Sequence, residues 1–308
     1  MQSLKIIIAI LLAAYVVVRL AFIFKKRGIR AMLISIAVLL AGCYIGFGVL
    51  LYFMQPKLLY YPVREVATTP GELGCKYEDV FFTTADGVKL NGWYVPAKDS
   101  RLTVLYCHGN GGNIGYYLDT IDILHKMNVN CFVFDYRGYG LSEGKPTEEG
   151  TYADALAAYK WLVSTKGAVP NKIVISGWSL GGCIAAELAS KVKAGGLLLE
   201  STFTSYADMA SYHYPYLPVR WFCRYKYDTL GYLRNVHCPV MAVHSPDDEI
   251  APFAMGQKLF AAANEPKEFV QIAGSHNEGF IESALLYSKR VGAWLESLEG
   301  RQLKEAAR

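Results

Sequence analysis

The chain has 308 residues, 53% of them hydrophobic, and a formal net charge of +4. The length suits one large α/β domain with a small appendage, and the apolar share exceeds that of an ordinary soluble protein. The charge is lopsided: no acidic residue precedes Glu65, whereas Lys5, Arg19, Lys25, Lys26, Arg27, Arg30, Lys57 and Arg64 are basic, and taking those eight charges from +4 leaves −4 for the remainder. A nucleic-acid-binding domain is excluded, because it needs a basic face of its own. The seven cysteines are odd in number and lack a CxxC pair, which argues against a disulfide framework.

Ala31–Met54, AMLISIAVLLAGCYIGFGVLLYFM, carries no charge over 24 positions. As a helix it is about 36 Å long and crosses a hydrocarbon core of roughly 30 Å with some tilt. Ile6–Phe24 is a second apolar run, interrupted by Arg19 near its end, where the guanidinium can snorkel. A signal peptide is the rival reading of that run, but no small-residue cleavage site follows it. Residues 1–56 are thus expected to form a membrane anchor, either one transmembrane helix or a helical hairpin. KKRGIR, Lys25–Arg30, places four positive charges directly before Ala31–Met54. The positive-inside rule keeps that cluster cytoplasmic and predicts the large domain on the non-cytoplasmic face.

Residues 57–300 are read as that domain. YEDVFFT and VKLNGWYV flank ADG and predict an antiparallel hairpin. Short apolar runs then read as buried parallel strands: LTVLYC, NCFVFDY, KIVISGW, GGLLLES, PVMAVHS and EFVQIAG. Helical segments are predicted at 115–127, 151–165, 180–193, 253–264 and from Glu278 to Leu298. The alternation points to an α/β fold with a mostly parallel sheet covered by helices on both faces. Thr202–His237, rich in Tyr, Phe and Trp, departs from the rhythm and predicts a small helical lid or pocket wall near the carboxyl ends of the strands.

The chemistry is read in the same order. HGNGGNIG, after LTVLYC, offers glycine-rich backbone N–H groups that could hold an oxyanion; phosphate binding is the rival, but neither GxxxxGK[ST] nor GxGxxG is present. Gly177-Trp178-Ser179-Leu180-Gly181 lies between a strand and a helix, where a nucleophile elbow places a serine on a turn too sharp for side chains at its flanks. The Leu180 N–H would then be a second oxyanion donor. A serine needs a base oriented by a carboxylate. HSPDDEIAP supplies Asp247, Asp248 and Glu249, and Glu200 on the preceding strand is an alternative acid. Of six histidines, His276 lies in a small-residue loop after the last strand and is the base candidate. The order Ser, acid, His is met by 179, 248 and 276. No HExxH or similar spacing implies a metal, and no cofactor is predicted.

CHGNGGNIG, DYRGYGLSEGKPTEEG, ISGWSLGG, ESTFTS, HCPVMAVHSPDDEIAP and GSHNEG together resemble the alpha/beta-hydrolase superfamily over about Tyr77–Leu298. The likeness is greatest to its membrane-anchored abhydrolase-domain branch, which includes protein depalmitoylases. The resemblance implies Ser179 as nucleophile, His276 as base, Asp248 rather than Asp247 as acid, and Asn110 and Leu180 as oxyanion donors. Ala251 stands where the family's HGxxDxxVP pattern has valine. The expected activity is cleavage of carboxylic esters or thioesters, on a small or lipid-like ester at a membrane. A serine peptidase, an acyltransferase and a non-catalytic binding module are the rival readings.

Overall fold

The computed structural model describes residues 2–100 and 102–306, with the side chains of residues 15–100 and 102–300. The chain divides into two compact units between Gln55 and Pro56. The first is nearly all of α1 (Gln2–Leu59), which is two helical stretches joined at Gly28, where φ 78° and ψ 178° leave helical geometry inside KKRGIR. Tyr15–Leu59 is long and apolar enough to cross a membrane by length and composition. Val17, Val18, Ile34 and Val38 present their side chains outward from it.

The second unit contains the strands β1 (Tyr61–Pro62), β2 (Glu78–Thr83), β3 (Lys89–Val95), β4 (Thr103–Cys107), β5 (Gly111–Gly112), β6 (Asn130–Phe134), β7 (Ile173–Trp178), β8 (Gly196–Glu200), β9 (Val240–His244) and β10 (Lys267–Gln271). Eight of them form one sheet in the order β10-β9-β8-β7-β4-β6-β3-β2. β2 and β3 form the antiparallel hairpin expected from ADG, and β3 is also antiparallel to β6, while the other neighbours are parallel. The remaining two strands, β1 and β5, make a short parallel pair outside the main sheet.

Period-two alternation sorts the strand residues onto two cores. On β4, Leu105 and Cys107 join a layer with Phe132, Phe134, Ile173 and Ile175. Val104 and Tyr106 face the other way, with Cys131, Val133 and Val174. The first face is covered by α3 (Glu148–Ser164) and α4 (Leu180–Ala189). The second is covered by α2 (Leu118–Lys126) and α10 (Ala284–Ala306), the latter through Tyr287, Val291 and Trp294. Each fully buried aliphatic side chain contributes roughly 1.5–3 kcal/mol.

Helix boundaries depart from the sequence reading where local capping decides them. α3 begins at Glu148, ahead of the expected 151, because Thr147 Oγ1 accepts the Gly150 N–H at 3.0 Å. The helix expected to run to 193 ends at Ala189, and the last one is divided at Ser283 into α9 (Gly279–Glu282) and α10. α8 (Phe253–Ala262) follows β9. The aromatic insertion folds as α5 (Tyr206–His213), α6 (Val219–Phe222) and α7 (Thr229–Leu233). Phe203, Tyr225 and Tyr227 are buried in it, whereas Tyr212, Tyr214, Tyr216 and Trp221 are exposed.

Candidate active site

Ser179 sits between β7 and α4 at φ 54°, ψ −120°, a conformation that costs a non-glycine residue on the order of 1–3 kcal/mol. The flanking glycines explain how the turn closes. A Cβ on Gly177 would stand 2.1 Å from the Gly181 carbonyl oxygen, and one on Gly181 would stand 1.9 Å from that of Cys107. The turn is pinned at both ends, since Ser179 N–H donates to Glu200 O at 2.9 Å and Thr202 Oγ1 donates to Ser179 O at 2.7 Å.

His276 arrives from the loop after β10. Its Nε2 lies 3.0 Å from Ser179 Oγ, and its Nδ1 lies 2.9 and 2.8 Å from the two carboxylate oxygens of Asp248. All three residues are buried. Asp248 Oδ1 also accepts the N–H groups of Ile250 at 3.0 Å and Ala251 at 2.7 Å. Burial alone would raise the Asp248 pKa, but hydrogen bonds from His244, His276 and the Ala251 N–H outweigh it. The carboxyl is held well below the usual carboxylate range. It is therefore ionised at neutral pH and fixes the Nδ1–H tautomer, which leaves Nε2 free to accept a proton from the serine.

The other carboxylates divide differently. Asp247 is exposed. Glu249, offered by the sequence as one of three candidate carboxylates, accepts the His276 backbone N–H through Oε2 at 3.0 Å. The carboxylate of Glu200, the alternative acid, is engaged elsewhere, accepting hydrogen bonds from Tyr287 and from Ser176 Oγ at 3.1 Å. Burial pushes its pKa up to about 7. His244 stands behind the acid, with Nε2 donating to Ala251 O at 2.8 Å and 3.4 Å from Asp248 Oδ2. No motif signalled that contact, although the histidine's place at the end of β9, four residues before Asp248, could have.

The glycine-rich loop lies beside the elbow. His108 is fully buried, its pKa lowered by burial to about 3, so it is a neutral ring and no rival base. Tyr136 donates to His108 O at 2.8 Å, Tyr139 to Asn110 O at 2.8 Å and Tyr117 to Gly111 O at 3.0 Å. Three of its carbonyls are thus held by phenol hydroxyls. Leu180 opens α4, where the N–H has no intrahelical acceptor. Trp178 lies between the loop and the histidine: a Cβ on Gly109 would touch it at 2.5 Å, and its ring centroid is 5.0 Å from that of His276. A cavity of about 430 Å³ opens here, lined by Tyr106, Asn110, Tyr117, Trp178 and Phe280 among others. Among the described residues no group of three His, Cys, Asp or Glu side chains is placed to hold a metal ion.

The sequence model of the family described as serine aminopeptidase, S33, matches residues 98–224. An uncharacterized protein of Mycobacterium tuberculosis is 35% identical over 256 residues, covering 82% of this chain and 90% of its own. An alpha/beta hydrolase domain-containing protein of Arabidopsis thaliana is 31% identical over 301 residues, covering 86% and 97%. An uncharacterized membrane protein of Saccharomyces cerevisiae is 33% identical over 244 residues, covering 75% and 86%. Among solved structures, an esterase of Pyrococcus furiosus is similar with a TM-score of 0.66 and 25% identity, covering 77% of this chain and 98% of that one.

Proposed function

The chain belongs to the alpha/beta-hydrolase superfamily, and from that premise we propose that it is a membrane-anchored serine hydrolase of carboxylic esters or thioesters. The observation that carries the reading is the continuous hydrogen-bonded relay from Ser179 Oγ through His276 to Asp248. Ser179 Oγ attacks the acyl carbonyl as its proton passes to His276 Nε2. Asp248 stabilises the imidazolium, and the N–H groups of Asn110 and Leu180 receive the oxyanion. Collapse of the tetrahedral species expels the alcohol or thiol with the proton from His276. A water molecule then repeats the sequence and releases the acid. The aromatic cavity beside Trp178 and Asn110 supports an uncharged acyl or alcohol group as its occupant, and the likeness to an esterase supports ester chemistry.

Ser179→Ala is expected to abolish labelling by a fluorophosphonate probe and hydrolysis of p-nitrophenyl butyrate; undiminished labelling would sink the assignment. The match to a serine aminopeptidase model favours a second reading, amide cleavage. Faster turnover of aminoacyl p-nitroanilides than of the ester would establish it. The apolar span Tyr15–Leu59 and the yeast relative named as a membrane protein support the anchor. The basic cluster Lys25–Arg30 supports, by the positive-inside rule, a hydrolase unit on the non-cytoplasmic side. Protease added to sealed cells or vesicles should reach that unit only from the non-cytoplasmic face.

A further inference from the structure

The residues at the end of α1 are bonded directly to the oxyanion loop. The Asn110 side-chain Nδ2 donates to Leu59 O at 2.9 Å, and Tyr61 N–H donates to Asn110 O at 2.9 Å. Val63 N–H donates to Gly112 O at 2.9 Å, completing the β1–β5 pair. The chain then continues along the same loop. Asn113 Nδ2 donates to Val63 O at 3.1 Å and to Glu65 O at 2.6 Å, and Gly140 N–H donates to Val63 O at 3.0 Å. Asn110 is thereby held on its side chain and its carbonyl by the strap, with the Tyr139 hydroxyl as a further donor to that carbonyl.

The strap is also fixed to the aromatic insertion. Tyr60 is buried, its hydroxyl 2.7 Å from that of Tyr227 and its ring edge-on to Tyr225 at 5.6 Å. The Tyr227 hydroxyl lies 3.0 Å from Thr151 Oγ1, and its N–H donates to Glu148 Oε1 at 2.7 Å. One short segment thus joins the loop that would hold the oxyanion, the wall of the insertion and the start of α3.

We propose that Leu59–Glu65 is a positioning element for the reaction: a strap that fixes the Asn110 side chain and the peptide plane after it, and so holds the Asn110 Cα from which the N–H is aimed at the oxyanion. The peptide N–H has no freedom of its own. It lies in the plane of the Gly109 carbonyl, which His108 Nδ1 approaches to 2.8 Å, while the strap ties the other substituents of the Asn110 Cα, the side chain and the carbonyl. Misplacing a catalytic donor by about 1 Å can cost on the order of 10²-fold in rate. The inference rests on the serine-hydrolase reading and adds to it that the residues leaving the anchor belong to the working site.

The test uses the full chain in detergent micelles, with p-nitrophenyl butyrate kinetics, fluorophosphonate labelling and thermal melting. Asn110→Ala keeps the backbone N–H and removes the tie to Leu59. Val63→Pro removes the N–H that holds Gly112, and Val63→Ala retains it. The first two should lower kcat about tenfold to 100-fold with KM within about threefold and a cooperative melt, while Val63→Ala stays near wild type. Unchanged kcat in folded Asn110→Ala overturns the proposal, as does an equal rise in KM with kcat kept. Should Val63→Pro fail to fold, Asn110→Ala on the half-exposed loop is sufficient by itself to decide between these outcomes. If wild type and Ser179→Ala hydrolyse and label equally, it is the hydrolase reading that fails instead.

Discussion

Replacing Asp248 by asparagine reverses the hydrogen-bonding sense of one atom and leaves the shape of the side chain unchanged. Oδ1 accepts the N–H groups of Ile250 and Ala251 at 3.0 and 2.7 Å, so the amide oxygen of asparagine is held there. Its NH₂ then takes the place of Oδ2, 2.8 Å from His276 Nδ1, and the oxygen 2.9 Å from that nitrogen is already shared by two backbone N–H groups. Two donors cannot face one another at that distance, and the imidazole proton moves to Nε2. That nitrogen lies 3.0 Å from Ser179 Oγ and now donates to the hydroxyl it should deprotonate. A wrong tautomer in a serine triad costs about 10⁴ in kcat, equivalent to about 5.4 kcal/mol at 1.36 kcal/mol per tenfold. For Asp248→Asn we expect kcat for p-nitrophenyl butyrate to fall by roughly 10³–10⁴, with KM within a few-fold and the melting curve preserved. A loss below about tenfold in a folded variant refutes the tautomer argument. If Glu200→Gln caused the collapse instead, the acid would have to be sought on the neighbouring strand.

Two further predictions concern stability. Burial lifts Glu200 from an ordinary 4.5 to about 7, with partial relief from Tyr287 and Ser176. The folded state therefore keeps this proton longer than the unfolded chain does, and stability falls by roughly 3 kcal/mol as pH rises from about 4.5 to 7. Glu200→Gln can keep both hydrogen bonds and removes the titration; its Tm should match wild type near pH 4.5 and exceed it by several degrees at pH 8, and parallel curves would contradict the assignment. Gly181→Ala places a methyl group 1.9 Å from Cys107 O and 2.5 Å from His108 O, two backbone atoms that cannot yield. The expected destabilisation is more than about 4 kcal/mol, read as lost soluble yield or a collapsed Tm; a wild-type melt would show that α4 can retreat from β4.

What could be read from the sequence was what short-range pattern carries. Each buried strand announced itself as an apolar run bounded by turn residues, and the elbow by glycines whose missing side chains make room for backbone. The three residues that meet at Ser179 could be named because each lies just after a strand, where a parallel sheet gathers its loops. Within DDE, spacing alone could not separate Asp247 from Asp248. The choice is made by which carboxylate caps the N–H groups of Ile250 and Ala251, a matter of local turn geometry. The contacts that Glu249 and His244 make with the same pair were hidden because they depend on how two loops cross. β1 was illegible for a related reason. Tyr61-Pro62 has no periodicity of its own, and its partner lies some fifty residues away in a loop with hardly a side chain.

The β1–β5 pair bears on how such a protein can be rearranged. Resemblance to other hydrolases begins near Tyr77, which invites a cut there and the grafting of a different leader. Structurally the catalytic unit starts at Pro56, and a graft made at Tyr77 would leave the carbonyls of Asn110 and Gly112 without their strand partner. A cut at Tyr77 therefore divides one compact unit. A working exchange of leaders has its seam at the Gln55–Pro56 peptide, and any chimera that respects that seam inherits the strap intact.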